Sequence, residues 1–474
     1  MIQTSTATRP APAEIDRSVQ GTVLFCFGSA IFWLLAGCLL HAVAGAKLVM
    51  PGFLDGIGFL TYGRVLPAAT NAIAFGWASL SAIGVALWLC ARLNGAMLRA
   101  SALIVSAVVA WNAAVLVGVL AILAGSSTGI PGLEMPGGVS VVLLVAYLPI
   151  GLWALSTFRT GAPGFVSQWY LVAALLAFPW LYTTANALLV WQGTPGSAMG
   201  AIFAWFDSGF FGLWLLPIAL AAAYYFLPRA AGRPVFSRGL ASLGFWTLVL
   251  CAGWMGTSRF QGGPIPAWMV SAGVVAAILL ILPAIAVSSN LYLTIGDACE
   301  RLWMQTPARF LITSAVFFLG WVSLLIIVTL PPVNSIIQFS LVNPGLTQTA
   351  LHGIASLAFI GVLYALLGVR HPESTITPRS SLVFWLIVTG VGLILCASFF
   401  GGFFQGFALS DPIVTFANSI TYAAPFRWVE LAGHLCLLAA AAGLARDFAE
   451  QLLVSSPAQA PKPAAAQRPE VAAV

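Results

Sequence analysis

Twelve separate runs of roughly twenty apolar residues leave almost no stretch of this chain able to fold in water. They fall at about 20–44, 66–92, 100–124, 138–157, 168–192, 200–227, 239–258, 267–290, 309–330, 347–369, 381–404 and 426–445. A helix of about 20 residues crosses the ~30 Å hydrocarbon core of a bilayer. A soluble domain keeps roughly a quarter of its residues charged. Only 7% of these 474 residues are charged, 60% are hydrophobic, and mean hydropathy is +0.99. The outside of the fold must therefore be lipid. Backbone groups in lipid need partners within their own segment, so continuous runs of this length are helices. The short alternating segments of a membrane barrel are absent from the sequence. The fold class expected is an all-α integral membrane bundle of twelve transmembrane helices.

Residues 1–19 read as an N-terminal cytoplasmic segment, 20–447 as the membrane domain, and 448–474 as a flexible Pro/Ala-rich cytoplasmic tail. The long polar start ahead of the first run favours a retained helix over a cleaved signal. With the N-terminus inside, Arg9, Arg17, Arg92, Arg99, Arg159, Arg229, Arg233, Arg238, Arg301, Arg309, Arg370, Arg379, Arg446, Lys462 and Arg468 lie on the cytoplasmic side. Only Lys47, Arg64, Arg259 and Arg427 lie on the other. This bias satisfies the positive-inside rule and places both termini in the cytoplasm. It also accounts for the net charge of +6, so no nucleic-acid partner is implied. Lipid is the expected surroundings.

The seven cysteines, Cys26, Cys38, Cys90, Cys251, Cys299, Cys396 and Cys436, show no Cys-x-x-Cys spacing. They read as small buried hydrophobes, and neither a disulfide nor a zinc site is expected.

The second run opens Tyr62-Gly63-Arg64-Val65-Leu66-Pro67-Ala68-Ala69-Thr70-Asn71-Ala72. A second dense island holds Tyr224-Tyr225-Phe226-Leu227-Pro228 and then Ala231-Gly232-Arg233-Pro234-Val235-Phe236-Ser237. Together they resemble the catalytic subunit of cbb3-type cytochrome c oxidases, in the haem–copper oxidase superfamily. There the first motif reads Tyr-Gly-Arg-x-x-Pro-x-His-Thr-Asn-Ala. The resemblance runs over nearly the whole chain and implies the subunit I type of twelve-helix bundle in a bacterial inner membrane.

The resemblance also implies six histidines: two on a low-spin haem, one on a high-spin haem and three on copper, for which imidazole is a suitable ligand. Residue by residue, the low-spin pair falls on Ala69 and His352, and the high-spin ligand on Ala350. The copper ligands fall on Ser208, Ser258 and Arg259, and the active-site tyrosine on Ala252. One imidazole of six remains, and Arg259 puts a cation where the resemblance implies a dication. An acidic residue of the ninth helix falls on Leu324. Copper is therefore not expected, no catalytic residue is assigned, and the chain is expected to be inactive in oxygen reduction.

His352 is read as an axial ligand to one b-type haem, or as a packing histidine satisfied by Thr347, Gln348 or Thr349. His41 and His434 are the candidate second ligands. His371 is read as a solvated loop residue. Arg64 is read as a contact to a haem propionate or as a cap on the loop holding Asp55. Asp207 with Arg259 is expected to form a salt bridge in the emptied metal pocket, and Arg427 with Glu430 a local pair on one helix. Tyr62, Thr70 and Asn71 read as packing elements, and Gly76, Ala78 and Ser79 as a close helix contact.

Three functions follow from these readings. The first is a membrane scaffold or electron-transfer subunit of a respiratory-type complex, beside a membrane-anchored c-type cytochrome or other redox subunits. The second is an active terminal oxidase or nitric oxide reductase. The third is a transporter or channel using the vacated pores.

Overall fold

The computed structural model describes residues 11–159, 164–194, 196–370 and 377–454. Twelve helices there are long and apolar enough to cross a membrane. They are α1 Pro12–Val49, α2 Tyr62–Asn94, α3 Ser101–Ala124, α4 Gly137–Ser156, α5 Val166–Trp191 and α6 Ser197–Ala231, then α7 Arg238–Phe260, α8 Ala267–Trp303, α9 Thr306–Thr329, α10 Val342–Gly368, α11 Pro378–Ser410 and α12 Phe416–Leu453. Each expected run lies in a helix of its own. The first and last helices pass the expected edges at 20 and 447. His371 falls outside the described residues.

Consecutive helices pack side by side, and α12 packs on both α11 and α1, which closes a ring. Three helices stand inside that ring. The apolar stretches of α2, α6 and α10 are 100%, 89% and 94% buried, against 39–56% for the other nine. Outer helices spend one face on the bundle and turn the other to lipid, where side chains such as Leu152, Trp246 and Leu250 are exposed. The inner three each contain a wide π turn, at Ala72–Ala78, Phe210–Leu215 and Thr349–Ser356. Such turns insert one extra residue into a helix and concentrate at functional sites.

Small residues let the helices meet closely, as lipid-embedded bundles require. A methyl on Gly76 of α2 would come within 2.4 Å of the Trp33 ring of α1, and one on Gly256 of α7 within 2.3 Å of the Ala204 carbonyl of α6. The close contact expected at Gly76 is present. At the heart of the bundle Trp77 Nε1 of α2 donates to Ser356 Oγ of α10 at 2.7 Å.

Candidate functional site

Two chambers flank α10. The larger lies among α2, α6, α7, α9 and α10, with about 80 Å3 of it open to a water-sized sphere. Ala350, Ser208 and Arg259, three of the positions that the resemblance assigns to metal ligands, line it. Arg259 Nη1 donates to Asp207 Oδ2 at 2.5 Å, so the salt bridge expected from the sequence is formed. The remaining positions are closed by packing. Ser208 Oγ donates to the Ala204 carbonyl at 2.8 Å, with the Gly253 carbonyl 3.2 Å away, and Ser258 Oγ donates to the Met255 carbonyl at 2.7 Å. Ala252, in the place of the tyrosine, presses on α6 so tightly that a methyl on Gly212 would stand 2.7 Å from its Cβ.

Alcohol groups already committed to carbonyls, a guanidinium and two methyls are not a ligand set for iron or copper, which favour imidazole. Among the described residues no three His, Cys, Asp or Glu side chains are grouped to hold a metal ion. The residues at this centre do not fit the haem–copper pair.

The smaller chamber, with about 10 Å3 open to a water-sized sphere, lies among α1, α10, α11 and α12 and is lined by Leu34, Cys38, His352, Ser356, Ile387 and Leu437, among others. His352 is buried and forms no hydrogen bond among the described residues. The neighbours expected to satisfy it turn elsewhere. Thr347 and Thr349 donate to the Asn343 and Gly345 carbonyls of their own helix, and Gln348 Nε2 lies 2.9 Å from His41 Nε2.

His41 also holds the Gly37 carbonyl through Nδ1 at 3.0 Å, so both of its ring nitrogens are engaged. In this arrangement His41 bridges α1 to Gln348 of α10. The His434 ring stacks on it, with centroids 5.4 Å apart and planes 20° from parallel, and His434 Nε2 lies 4.0 Å from Glu430 Oε1. At Ala69, α1 lies so close to α2 that a methyl on Gly37 would meet the Ile73 side chain at 2.6 Å. His352 would hold a haem from one side, while His434, the other candidate, has no ring nitrogen in a hydrogen bond among the described residues.

Arg64 matches the second of its two readings, a cap on the loop that holds Asp55. Arg64 touches no carboxylate among the described residues. Its Nη1 donates to the Gly58 and Leu123 carbonyls at 3.1 and 3.3 Å, joining the loop before α2 to the end of α3. Basic groups suit helix C-termini, where carbonyls lack partners. Gly125 makes room for it: φ there is +95°, and a methyl would meet Arg64 Nη2 at 2.8 Å. Arg427 and Glu430 form no ion pair among the described residues, and Arg427 Nε is buried without a partner. Steric spacing allowed that pair, but Glu430 lies beside His434 instead.

Sequence reasoning missed Glu134, in the loop between α3 and α4. It is buried and accepts from Asn71 Nδ2 at 2.6 Å. Burial is the main force holding its carboxyl above the ordinary range, and the Asp207 charge adds to it, against the Asn71 hydrogen bond. A lone acid in an uncharged loop was the available signal.

The sequence profile described as Cytochrome C and Quinol oxidase polypeptide I matches residues 21–436. The chain belongs to that family. It is 22% identical over 392 residues to a cytochrome c oxidase subunit 1 homolog of Azorhizobium caulinodans, covering 80% of this chain and 71% of the relative. It is 24% identical over 391 residues to the cbb3-type cytochrome c oxidase subunit CcoN1 of Stutzerimonas stutzeri, covering 79% and 81%. A cryo-EM structure of a heme-copper terminal oxidase dimer superposes with a TM-score of 0.73 at 15% identity, covering 93% of this chain and 85% of that one. The chain is thus a cbb3-like subunit I homologue, a multi-pass protein of the bacterial inner membrane.

Proposed function

We propose that this subunit I homologue is a membrane scaffold of a respiratory-type complex and does not reduce oxygen. The observation that carries the reading is the Asp207–Arg259 ion pair, with Ser208 and Ser258 bonded to backbone, where copper ligands would be required. Fold likeness carries no activity where the site is absent. The relatives named as cytochrome c oxidase subunits support partners of the same kind, a membrane-anchored c-type cytochrome or other redox subunits. The distribution of Lys and Arg supports both termini facing the cytoplasm.

A second reading, electron transfer through one b-type haem, is favoured only by His352, whose ring borders a chamber with no hydrogen-bond partner. Haem there would supply one-electron chemistry. His352 would hold it from one side, while Leu34, Ile387 and Leu437 would exclude water.

Both readings are tested on protein purified from native membranes by copper analysis, a reduced-minus-oxidised spectrum and oxygen uptake. The scaffold reading expects copper far below one per chain, no carbon monoxide-binding haem and no uptake. A split alpha band that His352→Ala abolishes selects the haem reading. One copper per chain with oxygen uptake overturns both.

A further inference from the structure

We propose that the larger chamber binds a neutral aromatic amphiphile, a flat and mostly apolar small molecule carrying one carbonyl or hydroxyl group. The emptied centre has not closed completely: about 80 Å3 of it stays open to a water-sized sphere, and the chamber has a mouth. Its walls are Phe75, Phe206, Phe210, Phe211, Met255 and Trp321, rings and a thioether suited to stacking on a flat apolar body.

Polarity is confined to a few groups, and their hydrogen bonds decide what can be recognised. Thr70, Ser208 and Thr347 spend their hydroxyl protons on the Leu66, Ala204 and Asn343 carbonyls, and Trp321 Nε1 donates to Leu346. Among the lining side chains this leaves Arg259 as the donor with N–H groups to spare, since only Nη1 is engaged, by Asp207. A ligand oxygen that accepts from Arg259 is therefore favoured.

Charge settles the class further. Asp207 already balances Arg259, so an ion entering the chamber would carry an uncompensated charge into a poorly solvated space. Glu134 acts electrostatically on Asp207, which makes an anion less welcome still.

The test uses the full chain in phosphatidylcholine nanodiscs, with empty nanodiscs as the partition control. Equilibrium dialysis follows 1-naphthol, naphthalene and 1-naphthoate. Saturable uptake of one 1-naphthol per chain is expected, tighter than naphthalene, with 1-naphthoate weakest. Ala350→Leu fills the lumen and should weaken 1-naphthol about tenfold with its melting temperature kept. Ala74→Leu, on the α2 wall, is the second filling variant should the first fail to fold. The double variant Asp207→Asn/Arg259→Met should bind 1-naphthol no better than naphthalene. Uptake equal to empty nanodiscs, indifference to both filling variants, or 1-naphthoate binding tightest would overturn the proposal.

Discussion

Neutralising one member of the Asp207–Arg259 pair should leave the other as an uncompensated charge inside the bundle. Breaking a fully buried pair costs about 3–5 kcal/mol, whereas exposed pairs contribute about 0–1 kcal/mol. Here both side chains are 29% exposed and the contact is 2.5 Å, so the pair lies between those limits and nearer the buried one. Asp207→Asn and Arg259→Gln should each cost about 2 kcal/mol by that interpolation. The double substitution removes both charges together and should cost about 2 kcal/mol as well, rather than about 4. The coupling energy of the cycle is then about 2 kcal/mol. Unfolding midpoints in mixed micelles of dodecylmaltoside and sodium dodecyl sulfate give the four stabilities. The swap Asp207→Arg/Arg259→Asp should recover much of either single loss. Additivity of the two single costs within about 0.5 kcal/mol would refute the pairing as an energetic unit.

Three further outcomes are expected. Glu134 lies outside the spans, and burial keeps its proton on in the folded state to a higher pH than in the unfolded chain. Its contribution to stability is therefore full below the ordinary carboxylate range and declines as pH rises through the folded value. Glu134→Gln should flatten that decline in pH-dependent unfolding and keep an acceptor for Asn71. Gly76→Ala should cost about 1–3 kcal/mol by overpacking against Trp33, with partial rescue by Trp33→Leu in the same micelle titration. Arg64→Met should cost about 1 kcal/mol through its two lost carbonyl bonds and speed proteolysis of the loop before α2; an unchanged cleavage rate would count against that anchoring role.

The architecture was legible because membrane insertion is governed by local hydrophobicity, which every run of twenty residues declares on its own. The residue types at the positions that the resemblance assigns to ligands were legible for a similar reason, since Ala69, Ala350 and Ser258 carry no imidazole whatever surrounds them. Relations across the bundle were less so. Asp207 and Arg259 border corresponding motif positions and were expected to meet, and they do. Arg427 and Glu430 had the right spacing on one helix, but Glu430 stands 4.0 Å from a histidine one turn further along, a choice that spacing cannot rank. The partner of Gln348 lies 307 positions away in His41, and that of Asn71 lies 63 away in Glu134. Only packing chooses among such distant polar groups. The wide π turns carry no composition signal that propensity could read.

One of those turns governs more than local shape. Ala350 and His352 both lie in the stretch Thr349–Ser356, yet they face separate chambers, so this short length of backbone is the party wall between them. An ordinary helix advances about 100° per residue. Deleting one residue from this stretch would revolve everything beyond it by about that angle. Trp77 would lose its Ser356 anchor, and the two rooms would exchange occupants along their shared boundary.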